Sequence, residues 1–157
     1  MRKIMALAAG VWVFAAFIVS CDTNRIFEKN INLPDEGWDK DTAVVFEIPV
    51  KDTLQSQNMY INLRNDIRYK YSNLWLFISI VEPGSKILTD TFEIVLADPA
   101  GKWLGEGLGG VKDSEVIFKR HIYFPVSGTY EVRFQQGMRE DVLTGITNIG
   151  LRLEKQE

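Results

Sequence analysis

From residue 43 onward, apolar and polar residues alternate in short runs separated by turn-forming residues. In "AVVFEIPV" and "SGTYEVRFQQ" every second residue is apolar, which is the period of a strand with one buried face. Similar patterns recur, so we predict seven strands, at residues 43–50, 59–65, 73–82, 91–98, 114–124, 127–136 and 147–154. Short strands at this spacing, without a long run of helical period, predict an all-β fold, an antiparallel β-sandwich of about seven or eight strands.

Several positions in these runs carry further predictions. Pro49 has no backbone N–H to donate, so its strand is predicted to lie at a sheet edge. Trp75 and Phe77 lie on the face opposite the Leu and Ile residues of their run, which predicts a central strand covered on both faces. We expect an irregularity near Arg120 and a short helical turn within 137–145.

The first 40 residues lack this alternation. Arg2 and Lys3 precede an almost unbroken apolar run at 4–19, the layout of a secretory signal. The sequence Ile18-Val19-Ser20-Cys21 fits the bacterial lipobox, so we predict cleavage before Cys21 and attachment of diacylglycerol and palmitate-type acyl chains to it. The alternative is a membrane-spanning helix, for which a run of 16 apolar residues is short, since spanning a bilayer takes roughly 20.

The chain is therefore predicted to have three parts: a cleaved lipoprotein signal peptide (1–20), a lipidated N-terminus and tether (21–40), and one β-sandwich domain (41–157). Pro34 and Gly37 interrupt the polar tether. Since Cys21 is the only cysteine and is committed to lipid, no thiol remains for a disulfide or a nucleophile. The expected location is the cell envelope, with the protein anchored to a membrane on the periplasmic or outer-membrane side.

Charge and composition narrow the function. Loss of Arg2 and Lys3 with the signal changes the net charge from −3 to about −5, which argues against a nucleic-acid partner because that would need a basic face. His121 is the sole histidine, so neither a His-based triad nor a multi-His metal site can form. The carboxylates at 90–113 match neither a calcium loop nor a catalytic pair in spacing. We expect no catalytic residue, no cofactor and no metal site; the sequence identifies no small-molecule ligand.

The stretch "ADPAGKWLGEGLGGVKDS" is a glycine-rich loop. Its Gly105-x-Gly107-x-x-Gly110 spacing matches the dinucleotide-binding fingerprint, but a strand rather than a helix follows it, so a pyrophosphate site is excluded. We predict a structural or interaction loop formed around Gly101, Trp103 and Gly105, in which Trp103 anchors the loop by burying its large apolar ring. Among the tryptophans, Trp103 is also the best candidate for exposure at a binding surface. Tryptophans also leave open an aromatic platform for sugar rings, formed from Trp38, Trp75 and Trp103.

Four stretches downstream of the lipobox cysteine together resemble one family, the gliding-motility lipoproteins called GldH: "YSNLWLFISI", "DTFEIVLADPAGKWLGEGLGG", "FPVSGTYEVRFQQGMR" and "LTGITNIGLRLEK". The resemblance extends from Cys21 to about Lys155 in order and spacing. It implies an envelope lipoprotein of the gliding and type IX secretion apparatus of Bacteroidota, without known catalytic activity or ligand. It assigns a role to Cys21 alone; Gly101, Trp103 and Gly105 match the family's loop pattern without a known role.

Two functions follow as hypotheses. The first is a noncatalytic envelope lipoprotein that acts by contact with other gliding or envelope proteins, and it predicts a contiguous apolar patch. The alternative is a surface or periplasmic glycan-binding module, and it predicts a groove in which Trp103 or Trp75 faces solvent beside carboxylates.

Overall fold

The computed structural model describes residues 23–156, which form ten strands and no helix. The strands are β1 (Arg25–Asn32), β2 (Trp38–Asp39), β3 (Val44–Val50), β4 (Gln57–Asp66), β5 (Asn73–Val81), β6 (Ile87–Val95), β7 (Val111–Ile122), β8 (Gly128–Gln136), β9 (Val142–Leu143) and β10 (Ile146–Lys155). All seven predicted strands are present, so the all-β prediction is confirmed. The predicted signal peptide and Cys21 lie outside the described residues.

Two antiparallel four-stranded sheets face each other. The first sheet has the order β1-β10-β4-β7 and the second β3-β8-β5-β6, while β2 and β9 form a short ribbon. The edge position of β3 confirms the prediction made from Pro49. Within residues 23–156, no helix is long and apolar enough to cross a membrane.

One hydrophobic core fills the space between the sheets, because the inner faces are apolar at every second residue. In β3 the burial alternates with the sequence: Phe46 and Ile48 are buried, whereas Glu47 is exposed. From the first sheet, β10 adds Leu151 and Leu153 to the same core.

Strand β1 lies in the region that we predicted as a tether. It pairs with β10 from end to end, and Phe27 and Ile31 pack against the core. Trp38 in β2 is only 1% exposed, and its Nε1 donates a hydrogen bond to the carbonyl oxygen of Thr42 (2.8 Å). The folded unit therefore begins at Arg25, not near residue 41.

Three smaller predictions have different outcomes. Near Arg120 the irregularity is present, since β7 shifts register against β4 and His121 has a φ of 54°. The segment 137–145 contains β9 and no helical turn. Strand β5 is an inner strand as predicted, but Phe77 on its outer face is 50% exposed, so this strand is covered on one face only.

The two ends of the sandwich carry different connections between strands. At the first, Arg25 pairs with Glu154, and Gln57 pairs with both Lys155 and Ile122. We call this the proximal end, because the chain from Cys21 enters there; its connections between strands are 51–56, 82–86 and 123–127. The opposite, distal end carries the connections 33–43, 67–72, 96–110 and 137–145, two of which contain the ribbon strands.

Candidate functional site

The first half of the glycine-rich loop is a tight turn organised by Asp98. Its carboxylate accepts hydrogen bonds from the backbone N–H groups of Ala100 (2.9 Å) and Lys102 (2.8 Å). The backbone N–H of Asp98 donates to the carbonyl of Lys102 (2.9 Å), which closes the turn. Gly101 lies within it at a φ of +83°, a conformation that glycine adopts without strain. The turn is therefore a defined structure rather than a free loop.

Trp103 follows this turn and points inward. It forms a β-bridge with Ala97, is half-buried, and packs against the core. Of the two predictions for Trp103, exposure at a binding surface is therefore wrong, whereas burial of its ring as an anchor of the loop agrees with this packing. The most exposed tryptophan of the described chain is Trp75, on the outer face of the second sheet opposite Glu93.

The second half of the loop extends the first sheet beside β7. Glu106 and Asp113 exchange two backbone hydrogen bonds (2.8 and 2.7 Å). Gly105 permits this approach, because a Cβ there would lie 2.6 Å from the Oγ of Ser114. Of the predicted loop residues, Gly105 has a close-packing role, whereas Gly101 lies in open space and serves the turn.

At the tip of the loop, apolar side chains face solvent. Leu108 is 97% exposed, and Ile67 from the β4–β5 connection is 78% exposed. Ile67 lies over Gly110, and Val111 pairs with Asp66 beside it. We call Ile67, Leu108 and Val111 the distal patch.

Our sequence reasoning did not single out the distal patch. One signal was available for Leu108: it has a glycine on each side, and an apolar residue at the tip of a glycine turn has no core to enter. Ile67 offered no comparable signal.

A polar groove of ≈ 820 Å³ lies next to the loop on the outer face of the first sheet. Arg64 spans it and donates two hydrogen bonds to the carboxylate of Asp113 (2.7 and 3.2 Å), which raise the pKa of Arg64. Asn62 donates from Nδ2 to Glu28 (3.2 Å), while its buried Oδ1 accepts no hydrogen bond from the described residues. The groove is rich in hydrogen-bonding groups, but no aromatic side chain lines it.

The chemistry of this region is limited. Among residues 23–156, no group of three or more His, Cys, Asp or Glu side chains is arranged to hold a metal ion. Asp113 is engaged by Arg64, and His121 lies at the opposite end of β7 from the loop.

Comparison with known proteins identifies the family. The family model described as GldH lipoprotein matches residues 25–153. The chain belongs to the GldH lipoprotein family. A gliding motility lipoprotein GldH homolog from Christiangramia forsetii is 38% identical, covering 98% of this chain and 99% of that protein. The gliding motility lipoprotein GldH of Flavobacterium johnsoniae is 32% identical, covering 95% and 97%.

This GldH family membership confirms the resemblance inferred from the sequence. The protein is a gliding-motility lipoprotein, anchored to a membrane in the cell envelope. The matched region begins at Arg25, the first residue of β1, in agreement with the boundary that the structure places there. Lipidation of Cys21 itself stays a prediction, because this residue lies outside the described residues.

Among solved structures, dimeric latent PorU from Porphyromonas gingivalis aligns with 89% of this chain and 14% of that chain. The identity is 8% and the TM-score 0.33. We draw no conclusion from so low a similarity.

Proposed function

We propose that this GldH-family protein is a noncatalytic component of the gliding machinery and its associated type IX secretion system. It acts by binding another envelope protein through the distal patch. The observation that carries this proposal is the almost complete exposure of Leu108 on a loop whose base is held by hydrogen bonds, with the exposed side chain of Ile67 lying over Gly110 of the same loop. Exposed apolar side chains gathered in one region of a surface mark protein interfaces.

The construction of the loop supports this role. The Asp98 turn, the anchored ring of Trp103 and the pairing of Glu106 with Asp113 hold the loop in place in the free protein. A preorganised loop loses little conformational freedom on binding, so more of its apolar burial contributes to affinity.

The direction of the chain adds to the proposal. Since β1 enters the sandwich at the proximal end, a lipid on Cys21 would hold that end near the membrane and leave the distal patch facing outward. We further propose that the domain lies on the periplasmic or outer-membrane side of its membrane.

The glycan-binding alternative has two observations in its favour: the polar groove with the unpaired acceptor of Asn62, and the exposure of Trp75 opposite Glu93. The two features do not form one site, because the groove lies at the first sheet without an aromatic side chain, Trp75 lies on the second sheet, and Trp103 packs inward. Contact with a protein therefore has the stronger support.

A photo-crosslinking experiment in a gliding host tests the proposal. A photoreactive amino acid is placed at Leu108, and at Val45, a partly exposed apolar residue on the outer face of the second sheet, as a control away from the distal patch. We expect one protein adduct from residue 108, absent from residue 45, and loss of colony spreading in the Ile67→Ser/Leu108→Ser variant but not in Val45→Ser. An adduct pattern that does not differ between the two sites, or normal spreading of the double variant, contradicts the proposal.

The alternative has its own readout. Binding of the purified protein to a glycan array, abolished by Asn62→Ala in the polar groove and unaffected by Leu108→Ser, would replace protein contact by glycan recognition.

A further inference from the structure

The proximal end exposes apolar side chains on connections that come from both sheets. Leu54, in the β3–β4 connection, is 86% exposed. Tyr123 and Val126, in the β7–β8 connection, are about half exposed, as are Ile87 and Leu88 at the start of β6. We call Leu54, Tyr123, Val126, Ile87 and Leu88 the proximal surface.

Hydrogen bonds and packing hold these connections in place. On the first sheet, the carbonyl oxygen of Ser56 accepts a hydrogen bond from the backbone N–H of Gln156 (3.0 Å). The Oγ of Ser56 donates a second hydrogen bond to the side-chain Oε1 of Gln156 (2.7 Å). On the second, the hydroxyl of Tyr130 bonds to both the N–H and the carbonyl of Val126 (3.2 and 3.0 Å). The apolar side chains therefore project from a defined surface.

A mostly apolar cavity of ≈ 330 Å³ continues this surface inward. Its walls include Leu88, Ile122, Tyr123 and Phe124; the charged residues that also line it are Glu82 and the ion pair of Asp90 with Lys119 (2.6 Å). The exposed apolar side chains outside the cavity are the part of this surface that suits a medium of hydrocarbon better than water.

The position of Cys21 identifies the occupant. Three residues separate Cys21 from Arg25, so the four steps between them span at most about 14 Å. Strand β4 has ten residues and runs about 33 Å from the proximal to the distal end. The proximal connections are therefore within reach of a bilayer that holds acyl chains on Cys21, while the distal patch is not.

The charges of this end are compatible with a bilayer surface. Lys51, Lys86 and Lys155 are exposed, and their long side chains can extend to lipid headgroups. Of the acidic groups, Asp52 accepts hydrogen bonds within its own loop and Glu82 lies 3.9 Å from Lys86. Apolar burial, rather than a dense positive field, would therefore drive the contact.

We infer that the proximal end is a lipid-docking surface, in which Leu54, Tyr123 and Val126 insert into the interfacial region of the bilayer. This goes beyond anchoring by acyl chains, because it fixes the orientation of the sandwich on the membrane. It rests on the predicted lipidation of Cys21, from which the bilayer is placed.

Depth-dependent fluorescence quenching tests the orientation. The mature acylated protein is prepared with Leu54→Cys or Leu108→Cys, each carrying an environment-sensitive dye; acylated Cys21 offers no free thiol. Both are reconstituted into vesicles of phosphatidylethanolamine and phosphatidylglycerol containing nitroxide-labelled lipid. We expect a blue-shifted, quenched dye at residue 54 and an unquenched dye at residue 108.

A lengthened tether separates docking from mere proximity. Insertion of about 12 Gly and Ser residues between Asp22 and Thr23 adds up to about 40 Å of reach. Docking predicts that quenching at residue 54 persists with this tether and falls at least severalfold when Tyr123→Ser and Val126→Ser are added. Loss of quenching with the long tether alone overturns docking, as does equal quenching at residues 54 and 108.

Mass spectrometry of the same preparation tests the lipidation of Cys21 separately from the docking of the proximal surface. Absence of acyl chains on Cys21 overturns the lipidation and, with it, the reason for placing a bilayer at this end. An acylated protein whose residue 54 is not quenched overturns docking alone.

Discussion

Removal of residues 23–40 is predicted to abolish stable folding, although those residues read as a tether in the sequence. The segment contributes Trp38, whose truncation at a buried site costs about 3–5 kcal/mol. Phe27, Ile31 and Leu33 pack half-buried against the core, each contributing about 1 kcal/mol. Together these side chains contribute about 6–8 kcal/mol, comparable to a typical total stability of about 5–15 kcal/mol.

The loss of β1 has a second effect. Strand β10 pairs with β1 along seven register positions, so its removal leaves β10 as an unpaired edge. A shortened protein would therefore be both less stable and more prone to associate through that edge.

Circular dichroism of two proteins, comprising residues 23–157 and 41–157, measures the effect. The longer protein is expected to unfold in one cooperative thermal transition, and the shorter to show none or a midpoint at least about 20 °C lower. In the longer protein, Trp38→Ala is expected to lower the midpoint by less than the deletion does, and Trp75→Ala, at a more exposed tryptophan, is its control. Equal midpoints for the two lengths would refute the assignment of β1 and β2 to the core.

Two further predictions concern single sites. Gly145→Ala is expected to lower the free energy of unfolding by about 2–5 kcal/mol, because Gly145 has a φ of +89° and an added Cβ would overlap the backbone of Tyr69. Urea denaturation measures this change, and Gly101→Ala is the control, since Gly101 has a similar φ of +83° but open space around it. Hydrogen bonds from Arg68 lower the pKa of Asp66 in the folded protein. The ionised carboxylate therefore stabilises the fold fully above about pH 4, the pKa of an aspartate in the unfolded chain, and this contribution is lost as the pH falls through the lowered pKa of the folded protein. Asp66→Asn should therefore be less stable than the wild type at pH 7, with the difference closing below pH 4; an unchanged difference at pH 2 contradicts this.

The strands that were predictable from the sequence are those with one strictly apolar face. In β3 and β8, alternation at every second residue leaves a single way to bury the apolar side chains, so periodicity is enough. Strand β1 was missed because an edge strand needs few apolar residues: Phe27 and Ile31 suffice, and Lys29 between them remains exposed. The ribbon of β2 and β9 was missed because two residues cannot display a period.

The candidate site was predictable in its location, but the sequence left both exposure and burial open for Trp103 and did not single out Leu108. The glycine content of the sequence predicts a loop between two strands, and in the structure this loop connects β6 and β7. Whether Trp103 or Leu108 faced solvent depended on contacts distant in sequence. The close approach of Gly105 to Ser114 ties the loop to β7, and the bridge to Ala97 turns Trp103 toward the core.

The short connection between Cys21 and β1 restricts where a partner can be met. With the sandwich docked by its proximal end, the distal patch lies about 33 Å above the bilayer, the length of β4. If the sandwich is not docked, the segment between Cys21 and β1 lets it rise by at most about 14 Å, and the distal patch has no fixed orientation relative to the bilayer. A partner held in or on the same membrane would bind a docked protein in one orientation, so the entropy lost on association would be smaller than for a protein on a long tether. Lipid docking at one end would therefore strengthen protein binding at the other without any contact between the two surfaces. Disrupting the proximal surface by Tyr123→Ser and Val126→Ser should consequently weaken crosslinking from residue 108 in membranes, while leaving the affinity of the detergent-solubilised protein for the same partner unchanged.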